Sequence, residues 1–192
     1  MSKKVVLFLA EGFEEVEAVT PIDYLRRAGI EVITAALVSN AAGTVTGSHG
    51  ISMLADTSLP ELSGSSRLRA DAWDAVLLPG GMPGASNLAA SKELGTFLKE
   101  MAAAGKLVSA ICASPAVALF PLGLLEGKHF TCFPGMEKQV SGALWLSDPV
   151  VCDGNIITSR AAGVAGLWAA ALIEKLAGRR EAGDLKERVL LQ

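Results

Sequence analysis

The sequence predicts an α/β fold: a doubly wound, mainly parallel sheet with helices on both faces. Three observations predict it. Continuous apolar runs of strand length, among them KVVLFLA from Lys4 and EVITAALV from Glu31, suit strands covered on both sides. Segments of helical length alternate with these runs over most of the chain, as βαβ units require. Finally, three short loops leave strand ends at Glu11–Glu15, Gly80–Pro83 and Cys112–Ser114. In doubly wound sheets ligands sit outside the carboxyl ends of the strands, so loops from distant parts of the chain could converge there.

Each element has a local reason. Lys4–Ala10 is the first strand. PIDYLRRAG closes the helix that follows it, with Arg26 and Arg27 in a last turn that favours cations and Gly29 free to take the left-handed cap. Glu31–Val38 is the second strand, and Thr44–Ala55 forms a hairpin around Gly47-Ser48-His49-Gly50. Ser58–Asp71 is polar and reads as a surface loop. DAVLLPGG is a buried strand, LAASKELGTFLKEMAAAGK a helix, and LVSAI the next strand. HFTCF, PVVCDG and NIITS are short strands, with Asp153-Gly154 as the turn between the last two. VAGLWAAALIEKLAG is an apolar helix ended by Gly178, and EAGDLKERVLLQ closes with a short helix.

Composition narrows the function. The 192 residues suggest one domain spanning 1–192, with enough chain to build a core without staples. Seventeen basic and 20 acidic residues give a net charge of −3 with no basic stripe, so nucleic-acid binding is not expected. The three cysteines, Cys112, Cys132 and Cys152, lack C-x-x-C spacing and read as reduced thiols, with Cys132 and Cys152 as core residues. His49 and His129 are too few to build a zinc site, and no metal is expected. PGGMPG is not a dinucleotide fingerprint and no P-loop occurs, so no cofactor is expected. The apolar start is too short for an export signal, which points to a cytoplasmic protein. The uncharged stretch from Leu107 to Leu125 is interrupted by Pro115, Pro121 and Gly123, which argues against a membrane span.

The corner SAICASPAV carries the chemistry. Cys112 stands between strand end and helix start, where unpaired N–H groups and the positive helix end can stabilise a thiolate. Its neighbours Ala110, Ala113 and Ser114 are small, as a tight elbow requires, and Pro115 fits the first helical turn. Spacing alone leaves open the alternative that Cys112 is a small buried hydrophobe. The cluster EGFEEVE adds Glu14, Glu15 and Glu17, two of which are accounted for as helix N-terminal charge. A carboxyl held beside a thiolate does not ionise readily, so the two groups would share one proton and supply both nucleophile and proton shuttle.

Taken together, AEGFEEVEAVTPIDYLRRAGI, LLPGGMPGASNL, SAICASPAVAL and ITSRAAG, in this order and spacing, closely resemble the ThiJ/PfpI superfamily. The nearest branch is the one containing the bacterial protein YajL and the human Parkinson's-disease protein deglycase. The resemblance implies a flavodoxin-like sandwich of the class I glutamine amidotransferase type, assembled as a homodimer. It implies Cys112 as the reactive cysteine and Glu17 as the acid contacting it, with the N–H groups of Gly81 and Ala113 forming an oxyanion hole. Arg27 and Arg160 match arginines of the branch and read as structural ion-pair partners. Glu14, Glu15, His49, Phe133 and Arg160 are candidate pocket residues. The implied activity is glutathione-independent conversion of glyoxal and methylglyoxal, or removal of early glycation adducts, with a role in oxidative and carbonyl stress. The alternative is a redox-sensing, chaperone-like protein with an oxidisable cysteine. A peptidase or amidotransferase is disfavoured. Ala113 stands where the protease-like branch has histidine, and Phe133 where some deglycases have one. His49 reads as a hydrogen-bonded turn residue that could approach the pocket.

Overall fold

The computed structural model describes residues 2–38 and 43–192. Its main sheet has seven strands in the order β10-β11-β7-β6-β1-β2-β5. These are β1 (Lys4–Leu9), β2 (Glu31–Ala36), β5 (Thr57–Ser58), β6 (Ala75–Leu78), β7 (Leu107–Ile111), β10 (Val150–Asp153) and β11 (Ile156–Ser159). Every neighbouring pair is parallel except β10 with β11, the hairpin turning at Asp153-Gly154. The predicted hairpin forms from β3 (Thr44–Thr46) and β4 (Ser52–Leu54).

The continuous apolar runs are explained by the period of two along a strand. Val5, Leu7 and Leu9 of β1 face one core with Ala18, Ile22 and Leu25 of α1 (Glu15–Arg27) and Trp168, Leu172 and Ile173 of the helix Ala165–Ala177. Val6 and Phe8 face the other, with Leu94, Phe97, Leu98 and Met101 of the helix Lys92–Ala103. Both faces of the central strands are therefore dry, and β1 from Val5 onward and β6 are apolar throughout. Buried polar groups are paired within this frame: Trp168 Nε1 donates to Ser109 Oγ at 2.7 Å, and that hydroxyl donates to the Ile157 carbonyl at 2.7 Å.

Several expectations need correction. Ser58–Asp71 is not a loop throughout: Ser58 and Glu61 form a reciprocal capping box that starts α2 (Leu59–Gly64), anchored by buried Leu59 and Leu62. The single helix expected over 88–106 is two helices, α3 (Gly84–Ala90) and α4 (Lys92–Ala103). Ser91 separates them and caps the second by accepting from Leu94 N–H. HFTCF pairs only at β8 (His129–Phe130), which joins β9 (Leu144–Trp145) in a small separate sheet. Cys152 points outward from the edge strand β10 while Val151 points in, so it is not a core residue. The closing helices, α5 (Ala165–Ala177) and α6 (Arg179–Val189), meet at Gly178 as expected.

Phe97 is sealed from solvent and meets Phe8 edge to face with centroids 6.1 Å apart. Phe97→Ala is expected to lose about 3–5 kcal/mol in denaturant unfolding; an unchanged midpoint would contradict this packing.

Candidate active site

The three loops do converge beyond the carboxyl ends of β1, β6 and β7. Glu14 N–H donates to the Gly80 carbonyl at 2.9 Å, and Gly84 N–H to the Gly12 carbonyl at 3.1 Å. Ser114 Oγ, fully buried, donates to the Pro79 carbonyl at 2.6 Å. The approach is so close that side chains are excluded. Gly81 sits at φ 84°, and a Cβ there would lie 2.4 Å from the Glu14 nitrogen.

Cys112 directly follows β7 and adopts φ 64°, a left-handed conformation that costs a non-glycine residue roughly 1–3 kcal/mol. The fold holds it there from both sides: its N–H donates to the Ser159 carbonyl at 2.9 Å, and its own carbonyl accepts from Phe133 N–H at 2.8 Å. The expected helix after it forms as one continuous run from Ser114, π-type over Pro115–Leu119 and closing in a 3-10 turn at Phe120–Leu122.

Glu17 comes from the first turn of α1 and is completely buried. Its Oε2 accepts from Gly80 N–H at 2.8 Å, while Oε1 is sealed from solvent with no hydrogen-bond partner among the described residues. Gly80 is the pivot of the site. A Cβ on it would lie 2.6 Å from Cys112 Cβ, 2.7 Å from Glu17 Oε2 and 3.1 Å from Cys112 Sγ. The absent side chain is the space into which thiol and carboxyl converge. The sequence marked Gly81 but missed Gly80; the doubled glycine after a buried strand was the available signal.

Electrostatics correct one expectation. Burial, opposed by the Cys112 thiol and Gly80 N–H, raises the Glu17 carboxyl to about 7, with repulsion from Glu14 adding to the rise. The thiol is not lowered. Burial first, and the neighbouring Glu17 charge second, push Cys112 up to about 12, outweighing the N–H groups of Gly81 and Ala113 that face the sulfur. Below about pH 7 both groups keep their protons, and above it the pair retains one.

The other candidates divide. Glu14 caps α1, its Oε2 accepting from Glu17 N–H at 2.6 Å. Glu15, almost buried, grips the β3–β4 turn: it accepts from His49 N–H at 2.7 Å, His49 Nδ1 at 2.9 Å and Ile51 N–H at 3.3 Å. Burial raises the Glu15 carboxyl, but the His49 and backbone donors outweigh it and leave the group below its ordinary value. The hydrogen bond to Glu15 raises the His49 imidazole, which is 70% exposed. His49 is thus a turn histidine, and among the described residues neither histidine hydrogen-bonds Cys112. Glu14, Glu15 and His49 bring ligand atoms within 4.8 Å of one another, yet those atoms are engaged in capping α1 and clamping the turn. Arg27 pairs with Asp23 at 2.6 Å as expected. Arg160 does not form the expected ion pair among the described residues; its guanidinium donates to the Ser147 carbonyl at 3.1 Å. Cys132 is fully buried, and burial raises its thiol to about 12.

The raised carboxyl has a consequence for stability. Glu17 ionises near 4.5 when unfolded and near 7 when folded, so the folded state keeps the proton longer. Its contribution is fully present below pH 4.5 and is lost as pH rises through about 7, a change of about 3 kcal/mol. Glu17→Gln is expected to unfold at higher denaturant than wild type at pH 8 and to show little gain at pH 4.5. Equal pH slopes for the two proteins would refute an elevated carboxyl.

A model described as the DJ-1/PfpI family matches residues 3–175. The chain is 40% identical over its whole length to Protein DJ-1 homolog B of Arabidopsis thaliana, but spans only 42% of that longer protein. It is 32% identical over 167 residues to a protein named deglycase from Pyrococcus abyssi, covering 86% of this chain and 94% of the other. The crystal structure of Drosophila melanogaster DJ-1beta superposes with a TM-score of 0.90 at 37% identity, covering both chains fully.

Proposed function

Since the chain belongs to the DJ-1/PfpI family, we propose that it is a glutathione-independent glyoxalase acting through Cys112, and that the same chemistry extends to early glycation adducts. The observation that carries this reading is the juxtaposition of Cys112 Sγ and Glu17 Oε2 about the vacant side-chain position of Gly80. The relative named deglycase supports the extension to adducts. The substrate class is small dicarbonyls, and the family resemblance extends the proposal to a homodimer.

At neutral pH and above, ionised Glu17 takes the thiol proton as sulfur bonds to the aldehyde carbon, and the carbonyl π pair moves onto oxygen. The N–H groups of Gly81 and Ala113, which face the sulfur, stabilise that oxyanion. Glu17 returns its proton to the oxygen, giving a hemithioacetal. It then removes the hydrogen of this carbon as a proton and passes it to the adjacent carbonyl oxygen, giving an enediol, and next takes the proton of the first carbon's hydroxyl and delivers it to the adjacent carbon. The first carbon is oxidised to a thioester while the second is reduced from ketone to alcohol, so no external electron acceptor is needed. Water cleaves the thioester, releasing a 2-hydroxy acid and restoring the thiol.

Lactate formation from methylglyoxal without added thiol tests this. Cys112→Ala is expected to abolish it, and Glu17→Gln to reduce it by about 10²–10⁴-fold. The wild-type rate is expected to climb with pH as Glu17 ionises around 7. Undiminished turnover in Cys112→Ala would refute the proposal.

A second reading, redox sensing, is favoured by the partial exposure of Cys112 among groups able to hold sulfinate oxygens: the Gly81 and Ala113 amides and the Glu17 carboxyl. Intact mass after mild peroxide separates the two. A two-oxygen gain confined to Cys112, in a protein with no dicarbonyl turnover, would favour sensing.

A further inference from the structure

One peptide unit beside the thiol is held at both ends. The Pro79 carbonyl accepts from Ser114 Oγ at 2.6 Å, and the N–H of the same peptide, carried by Gly80, donates to Glu17 Oε2 at 2.8 Å. A trans peptide is planar with its C=O and N–H pointing in opposite directions, so fixing the carbonyl also aims the N–H. Ser114 and Glu17 are both completely buried and reach this peptide from different elements, the helical run after Cys112 and the first turn of α1. A serine at the start of a helix ordinarily turns its hydroxyl back to cap the helix's own N–H groups. Ser114 makes no such bond. Its hydroxyl goes to the neighbouring loop instead.

A hydrogen bond accepted at an amide oxygen polarises the amide and strengthens its N–H as a donor. A donor aimed at a carboxylate favours the charged form. Gly80 N–H does this for Glu17; the Cys112 thiol and the Ala162 backbone act in the same direction, and the Glu14 carboxylate opposes them. We propose that Ser114 is a positioning residue: through the Pro79–Gly80 peptide it sets the aim and strength of the hydrogen bond on Glu17, and so governs how readily that carboxyl takes the thiol proton. The catalytic consequence rests on the reading of Glu17 as the base beside Cys112; the effect on the carboxyl itself does not.

The test compares wild type with Ser114→Ala, a change that removes only the buried hydroxyl. Carbon-13 NMR follows the Glu17 carboxyl directly, its signal assigned by its loss in Glu17→Gln. Ser114→Ala is expected to move the inflection upward from the wild-type value of about 7 by about half a pH unit. The pH profile of kcat/KM for lactate formation is expected to shift by the same amount, and to recover to within about threefold of wild type once Glu17 is ionised. A purely structural loss would lower that plateau and leave the inflection in place. Denaturant unfolding supplies a second measure: Ser114→Ala should cost more stability at pH 8 than at pH 4.5, and equally at both in a Glu17→Gln background. An unmoved Glu17 inflection in folded Ser114→Ala overturns the positioning role and leaves the Cys112 chemistry standing. Undiminished turnover in Cys112→Ala overturns that chemistry, and the NMR inflection still decides the role of Ser114.

Discussion

The site depends on the burial of one carboxyl. Glu17 is sealed from water, and the donors that face it, Gly80 N–H above all, do not make up for its burial. Such a group retains its proton unless something nearby favours the charge, and its neighbour is a thiol that would itself become negative. The two therefore cannot both ionise near neutrality. Burial and the neighbouring carboxyl thus favour the protonated thiol at Cys112. In the proposed reaction the thiolate would form only as the acid beside it takes the proton.

Maintaining that arrangement requires three loops to behave as one rigid piece. Three glutamates of the EGFEEVE cluster have different parts in this. Glu14 caps the helix, Glu15 locks the hairpin turn onto the helix start, and Glu17 points inward. The left-handed backbone at Cys112 is strained, and it persists because hydrogen bonds from two neighbouring segments determine its position. Rigid elements supporting a strained first residue are what orient a reacting atom to within a fraction of an ångström.

Much of this was legible in the sequence. The double-faced burial of the central strands shows directly in runs such as KVVLFLA, because both alternating faces must be apolar. The convergence of EGFEE, GGMPG and CAS follows from the rule that loops of such sheets gather at strand carboxyl ends. Other features were hidden. The short helix α2 depends on a capping box within a polar stretch, and its two buried leucines gave too brief a pattern to reveal a period. The thiol's elevation was missed because local sequence suggested a helix dipole, whereas the decisive quantities, burial and the distance to Glu17, are tertiary. Gly80 was overlooked for a similar reason: its importance lies in which atoms occupy the place of its missing Cβ.

The absence of histidine beside the sulfur bears on the kind of electrophile the site can use. Cleaving an amide needs a group that first removes the nucleophile's proton and then protonates an amine as it leaves, the role imidazole fills in thiol and serine hydrolases. Here Ala113 and Phe133 occupy the positions adjoining Cys112, and His49 is held at a hairpin turn by Glu15. Addition to an aldehyde expels no amine. It asks for a base to take one proton, donors for one oxyanion, and a group that can carry a proton between adjacent carbons. A carboxyl raised to about 7 is matched to give and take protons near neutral pH, and one such group can serve each step in turn. The chemistry of the electrophile thus explains why a lone acid can suffice where an amide would require more.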